Sequence, residues 1–194
     1  MEKKSKIERT TKETQISLEL ELNCEAEPVI NTGIAFFDHM LSHIAKHGNV
    51  KLLLQAKGDI EVDFHHTVED AGIVLGKAIV EALGDKKGIN RYGWSSIPMD
   101  ETLANVALDI SGRPVFVFHV EFTGPKIGDF DTELVKEFFR ALSNSAGLNL
   151  HINVPYGDNN HHIAEAIFKA FGWALRIAVS PSGLKGIPST KGVL

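Results

Sequence analysis

Two stretches of this 194-residue chain open in the same unusual way, "HHTVED" from His65 and "HHIAEA" from His161. Imidazole nitrogens and carboxylates are side chains that hold divalent transition metals. On a helix, residues i and i+4 share a face while neighbours point about 100° apart. Glu69 therefore sits beside His65 and Glu165 beside His161, whereas His66 and His162 aim elsewhere. Such a pair suits two different ions better than chelation of one. Four imidazoles with two carboxylates favour manganese, iron or zinc, and the carboxylate share points to the harder end of that range. Protonated rings at a helix N-terminus would oppose its dipole, so neutral, metal-bound rings are the natural state there.

The matched motifs belong to a larger duplication. Aligning them pairs His65 with His161, His66 with His162, Glu69 with Glu165, Gly76 with Gly172 and Ala78 with Ala174. "KKGI" ending at Ile89 matches "LKGI" ending at Ile187, and Glu13-Thr14 matches Glu101-Thr102. "FFDHMLSHIAKHG" takes the place of "LVKEFFRALSNSAG", which sets His39 opposite Glu137. Two copies of roughly ninety residues in one order of features indicate a tandem duplication, not a solenoid.

Each copy must carry its motif on a helix behind strands. Ile16, Leu18, Leu20 and Leu22 alternate with polar residues as in a half-buried strand. "VALDI" and "PVFVFHVEF", with a turn at 112–114, are the corresponding strands of the second copy. Phe37, Leu41 and Ile44 recur at helical spacing, as do Leu134, Phe138 and Leu142, and "VKLLLQA" and "LNLHINV" read as the strands that follow. Asn159 or Asn160 suits the N-cap of the second motif helix. Each half is thus β-β-α-β-α-like, an α+β fold of mostly antiparallel sheets with helices on one face. The halves are expected at 1–92 and 93–194, packed as one unit. "GINRYGWSSIPMDE" reads as a short connection, and the tail from Ser180 as a loop.

Three further histidines, His39, His43 and His47, form an i, i+4, i+8 stripe that by itself reads as a solvated face. His119 and His151 fall within strands and read as structural. Twenty Lys+Arg against 25 Asp+Glu give a net charge of -5, which argues against a general nucleic-acid or membrane-surface binder. One cysteine, Cys24, cannot form an intrachain disulfide, and the basic start lacks the apolar run of a secretory signal. A cytoplasmic protein is expected.

Taken together, "FDHM" (37–40), "HHTVED", "SGRP" (111–114), "FDTELVKEFFRAL" (130–142), "HHIAEAIFKAFGWALR" and "STKGVL" (189–194) closely resemble the imidazoleglycerol-phosphate dehydratase family across nearly the whole chain. The resemblance implies a hydro-lyase of histidine biosynthesis that converts D-erythro-imidazole-glycerol phosphate to imidazole-acetol phosphate with two manganese ions per subunit. It implies a metal set of His39, His65, His66, Glu69, Glu137, His161, His162 and Glu165. Many members have "HFF" where this chain has "EFF", so Glu137 replaces a histidine ligand with a chemically acceptable carboxylate. Glu13 in "KET" matches the family's acidic substrate contact and is the leading acid/base. Glu69 and Glu165 can also move protons, though ligation is their first role.

Arg91 and Arg113 match phosphate-binding arginines, joined by Ser189, Thr190 and Lys191 of the tail, and His47 is expected near the substrate. The metal-binding histidines and glutamates would touch the substrate too. Family members assemble as 24 subunits with metal sites at subunit contacts, so a homo-oligomer is expected, without nucleic-acid or membrane partners. The ring's own electrons could expel the adjacent hydroxyl, after which a base takes the neighbouring proton and the enol becomes the ketone. Two other readings use the same residues. One is a binuclear metallohydrolase of a small phosphorylated substrate, which would activate water and release phosphate. The other is a metal store without turnover.

Overall fold

The computed structural model describes residues 3–183, 186–192 and 194. The first two residues of the "LKGI" match, 184 and 185, lie outside that set. The first half runs β1 (Lys4–Thr10), β2 (Thr14–Leu22), β3 (Val29–Asn31), α1 (Ala35–Gly48), β4 (Val50–Gly58) and α2 (His65–Leu83). The second runs β5 (Tyr92–Met99), β6 (Thr102–Asp109), β7 (Val115–His119), a small hairpin β8 (Lys126–Ile127) and β9 (Phe130–Asp131), α3 (Glu133–Ala146), β10 (Asn149–Tyr156) and α4 (Asn160–Val179). The sheets have equivalent orders, β1-β2-β4-β3 and β5-β6-β10-β7. In each, the last strand pairs parallel and the others antiparallel. The duplication is therefore visible in the topology as well as in the motifs.

The alternation read from β2 buries Ile16, Leu18, Leu20 and Leu22, and β6 likewise buries Ala104, Val106 and Leu108. Removing these side chains from water, at roughly 25 cal/mol per Å² of apolar area, drives each sheet face onto the helices. The helices pair across the halves, α2 with α3 and α1 with α4. They form a layer between the two sheets, with α2 against β1 and β2 and α4 against β5 and β6. Phe37, Phe138, Phe139, Phe168 and Phe171 fill the space between helices and are fully buried.

One expectation needs correction, and two further segments are more ordered than local patterns show. The segment read as a connection is β5, an eight-residue strand whose tolerance of Pro98 follows from its place at the sheet edge. The basic start is β1, which pairs with β2 over its whole length; charged outward residues hid its alternation. The tail is tied down, since Ser182 N–H donates to Gly88 O, Gly88 N–H to Gly186 O, and Arg91 to Pro188 O.

Candidate functional site

Each motif opens its helix as the spacing requires. At α4, the Asn159 side chain accepts from the N–H groups of His161 and His162, satisfying donors that a helix start leaves free. At α2, Asp63 accepts from His65 N–H instead. Asp38 of "FDHM" takes hydrogen bonds from Thr32 N–H and Oγ1 at 2.8 and 2.6 Å, fixing the first turn of α1 and hence His39.

The parallel packing of α1 on α4 builds the first cluster. Glu165 Oε2 stands 3.0 Å from His161 Nε2 and 3.3 Å from His39 Nε2. Its other oxygen, Oε1, meets Lys169 Nζ at 2.5 Å and His43 Nε2 at 3.5 Å. Phe36 packs edge-on against the His161 ring and limits its rotation. The stripe that reads as solvated therefore faces α4, so His39, His43 and His47 lie along His161, Glu165 and Lys169. That is a correction, and its cause is the pairing of helices across the halves. Lys169 was not singled out from the sequence, and His43 was read only as part of a solvated stripe; the signal was a matching i, i+4, i+8 stripe on each of two helices.

Burial opposes ionisation of Glu165, yet Lys169, His43 and His161 together bring its carboxyl down to about 2. The same burial pushes His43 down to about 4 and lowers His47, with Lys169 adding to both. At neutral pH Glu165 is thus a carboxylate held by Lys169, with a neutral His43 beside it. Donors around a six-coordinate ion stand about 3 Å apart at adjacent positions; His39, His43 and Glu165 offer ligand atoms within 4.8 Å of one another, and His161 reaches the same Glu165 oxygen as His39.

The second cluster surrounds α2. His65 Nε2 lies 3.9 Å from Glu69 Oε2. His66 turns away, as its one-residue offset demands, with Nδ1 on Asp59 at 3.1 Å and Nε2 3.9 Å from Glu13 Oε1. His162 likewise turns from His161, placing Nδ1 2.7 Å from Glu101 Oε2. The hydrogen bonds to Asp59 and Glu101 raise the two imidazoles, and Asn159 N–H and His162 lower Glu101. Glu137 has its carboxylate on Arg140 at 2.8 Å. The crossing that sets His39 beside Glu165 puts Glu137 at the equivalent register position opposite Glu69. Among the described residues, no hydrogen bond, ion pair or ring contact joins the first HHxxE motif to the second. Asp59 was missed because the repeat register gives no hint of it.

The residues matched to phosphate binding lie elsewhere. Arg91 makes two bonds to Asp109, at 2.6 and 3.0 Å, and donates to Pro188 O at 2.8 Å. Its backbone N–H meets Ala178 O near the end of α4. Arg113 is exposed next to Gly112, whose φ of +73° lets the turn pass close to Leu194. Lys191 N–H donates to Ser189 Oγ, and Thr190 is exposed beside them. Helix α4 has 20 residues, about 30 Å of length, and the histidine clusters sit at its start while this group sits at its end.

The sequence matches the family model described as imidazoleglycerol-phosphate dehydratase over residues 32–175. It is 58% identical to the protein of that name from Geobacter sulfurreducens, covering all of both chains. It is 55% identical to the one from Streptococcus mutans over 99% of this chain and 100% of the other. Among solved structures, the dehydratase from Staphylococcus aureus superposes with a TM-score of 0.84 at 44% identity, covering 92% of this chain and 99% of that one. The Pyrococcus furiosus structure, in complex with (S)-C348, gives 0.82 at 36% identity, covering 97% and 100%.

Proposed function

Because this chain belongs to the imidazoleglycerol-phosphate dehydratase family, we propose that its histidine–carboxylate clusters carry the dehydration of imidazole-glycerol phosphate to imidazole-acetol phosphate in histidine biosynthesis. The observation that carries the reading is the gathering of His39 and His43 from one helix and Glu165 from another within 4.8 Å of one another, with His161 on the same carboxylate oxygen as His39. The carboxylate at that point is buried and kept ionised, and with the imidazole nitrogens around it makes a donor set for manganese. His65 and Glu69, with Glu137 at the matching register, would hold a second ion, and His66 and His162 present donors away from both groups. Bound manganese supplies Lewis acidity that steadies charge on the substrate's ring and oxygens.

The protein's own part is positioning and proton transfer. Overall the substrate loses the hydroxyl on the carbon beside the ring and the hydrogen on the next carbon. The product is an enol that rearranges to the ketone. Glu13 is half exposed, stands 3.9 Å from His66 Nε2, and takes the carbon-bound proton; Glu69 and Glu165 remain ligands first. Arg91 and Arg113 bind the phosphate with Ser189, Thr190 and Lys191 of the tail, which Arg91 also ties down through Pro188 O. His47, beside Lys169, lines the way to the cluster.

The length of α4 separates phosphate residues from metal residues by far more than this substrate can span. A complete site therefore draws its metal cluster from one copy and its phosphate group from another. That separation supports a homo-oligomer, of 24 subunits by likeness to the family, with His66 and His162 reaching into neighbouring copies. Among the described residues no helix is long and apolar enough to cross a membrane, and the reducing-compartment reading of Cys24 accords with a cytoplasmic enzyme.

The test is a dehydratase assay on chelated protein given manganese, zinc or nothing. Manganese should restore strong activity, with the phosphate still attached to a ketone product. Full activity after thorough chelation would overturn the metal assignment. Release of inorganic phosphate would favour the hydrolase reading, which family membership otherwise disfavours.

A further inference from the structure

The duplication pairs Glu13 with Glu101, each just before the inner strand of its sheet, yet the structure gives the two carboxylates different surroundings. Glu101 Oε2 lies 2.7 Å from His162 Nδ1. Its Oε1 accepts from Asn159 N–H at 2.9 Å, Asp158 N–H at 3.2 Å and Thr102 Oγ1 at 3.1 Å. Glu101 is thereby held by three donors on Oε1, from Thr102 and the turn before α4, and by one ring edge on Oε2. Glu13 stands instead on the opposite edge of its histidine, 3.9 Å from His66 Nε2. The Nδ1 edge of His66 is taken by Asp59, at 3.1 and 3.2 Å.

We propose that Glu101 and Asp59 are positioning residues, each fixing the second histidine of its motif with Nδ1–H toward the carboxylate and Nε2 turned outward to bind a cation, where Asp100 stands 3.6 Å from His162 Nε2 as Glu13 stands 3.9 Å from His66 Nε2. Each half solves the same problem with a different acid, and only the first half leaves its strand-start glutamate free for chemistry. A carboxylate on Nδ1 sets the tautomer, locks the ring's direction and makes Nε2 a better donor. Sequence symmetry would make Glu101 a second acid/base; its four acceptor contacts exclude that, because a shuttling carboxylate must be free to receive a proton.

The inference rests on His162 being a metal donor, so the experiment separates the two. Manganese binding to the full-length assembled protein is followed by the electron-paramagnetic-resonance signal of free Mn2+, alongside kcat at low and saturating manganese. Glu101→Leu should weaken one class of manganese site about 10–100-fold, and added manganese should recover much of the lost turnover. Glu101→Gln, which keeps an acceptor for Nδ1–H, should lie between Leu and the unchanged protein. Asp59→Asn should act as Glu101→Gln does. Glu13→Gln should leave manganese affinity unchanged and cut kcat by about 100-fold or more at any manganese level.

His162→Ala serves as the reference. If it binds manganese normally, the metal reading itself fails. If it weakens binding but Glu101→Leu does not, the positioning role alone is overturned. A Glu101→Leu protein with normal affinity and the kcat loss of Glu13→Gln would make Glu101 an acid/base. Thermal unfolding of each variant shows that it is folded, and a merely structural role would lower that stability without moving manganese affinity.

Discussion

At Glu165 a single carboxylate serves two neighbourhoods, His39 and His161 on one oxygen and Lys169 and His43 on the other. Lysine's charge on Oε1 leaves Oε2 as the open edge for a cation, while His43, 3.3 Å from His39 Nε2, belongs to the same cluster. Its acidity makes that place in the cluster measurable. Burial pushes the folded imidazole down to about 4, whereas an unfolded histidine titrates near 6.5. As pH falls through that interval the unfolded chain takes up a proton that the folded chain refuses. The stability associated with neutral His43 is thus present above about 6.5 and lost towards 4, by up to about 3 kcal/mol. Thermal unfolding of metal-free protein between pH 7.5 and 4.5 should fall more steeply for the unchanged chain than for His43→Gln. Parallel curves would show that the ring is solvated enough to protonate in place.

Helix crossings explain two glycines that helix propensity disfavours by about 1 kcal/mol each. A Cβ on Gly76 would stand 2.8 Å from Leu142 O and 2.9 Å from Ala146 N, and one on Gly172 would stand 3.0 Å from Gly48 N and 3.1 Å from Ile44 O. The repeat register pairs Gly76 with Gly172, and it equally pairs Leu142 with Ile44, so both positions mark the same crossing. Close approach there sets the depth at which His39 meets Glu165. Gly76→Ala and Gly172→Ala should each cost about 1–3 kcal/mol, a drop of roughly 2–12 °C in melting temperature. Gly172→Ala should in addition weaken manganese binding by shifting α1 off α4. A melting temperature unchanged or raised in both would mean that the crossing has slack.

Over the whole molecule, the second sheet turns Tyr92, Trp94 and Tyr156 outward, with Trp94 65% exposed. Exposed rings of this kind are what contacts between copies would cover, as the proposed sharing of sites requires. Complementation tests this directly. His161→Ala and Arg113→Ala proteins, each inactive, should regain activity when dissociated and reassembled together. Random mixing of a symmetric assembly leaves about a quarter of two-chain sites intact. No recovery at all would place both residues in a site made by one chain. Removing manganese should also shrink the assembly, seen by sedimentation, if His66 and His162 bind ions held by neighbours.

The strand alternation, the buried helix stripes, the Asn159 cap and the duplication were all legible in the sequence. Each rests on local periodicity or on repetition, which survive without knowledge of what packs on what. The offset within each HHxxE motif likewise forecast that His66 and His162 would point away from their neighbours, because helix geometry fixes that angle. Strands β1 and β5 were hidden, since edge strands carry charges, Gly and Pro that blur the period. The surroundings of His43, the choice of Asp59 over Glu13 and the distance from Arg91 to His161 depend on which elements meet. Only tertiary packing decides that, because residues 126 apart in the chain, such as His39 and Glu165, become partners through a helix crossing that no local pattern encodes.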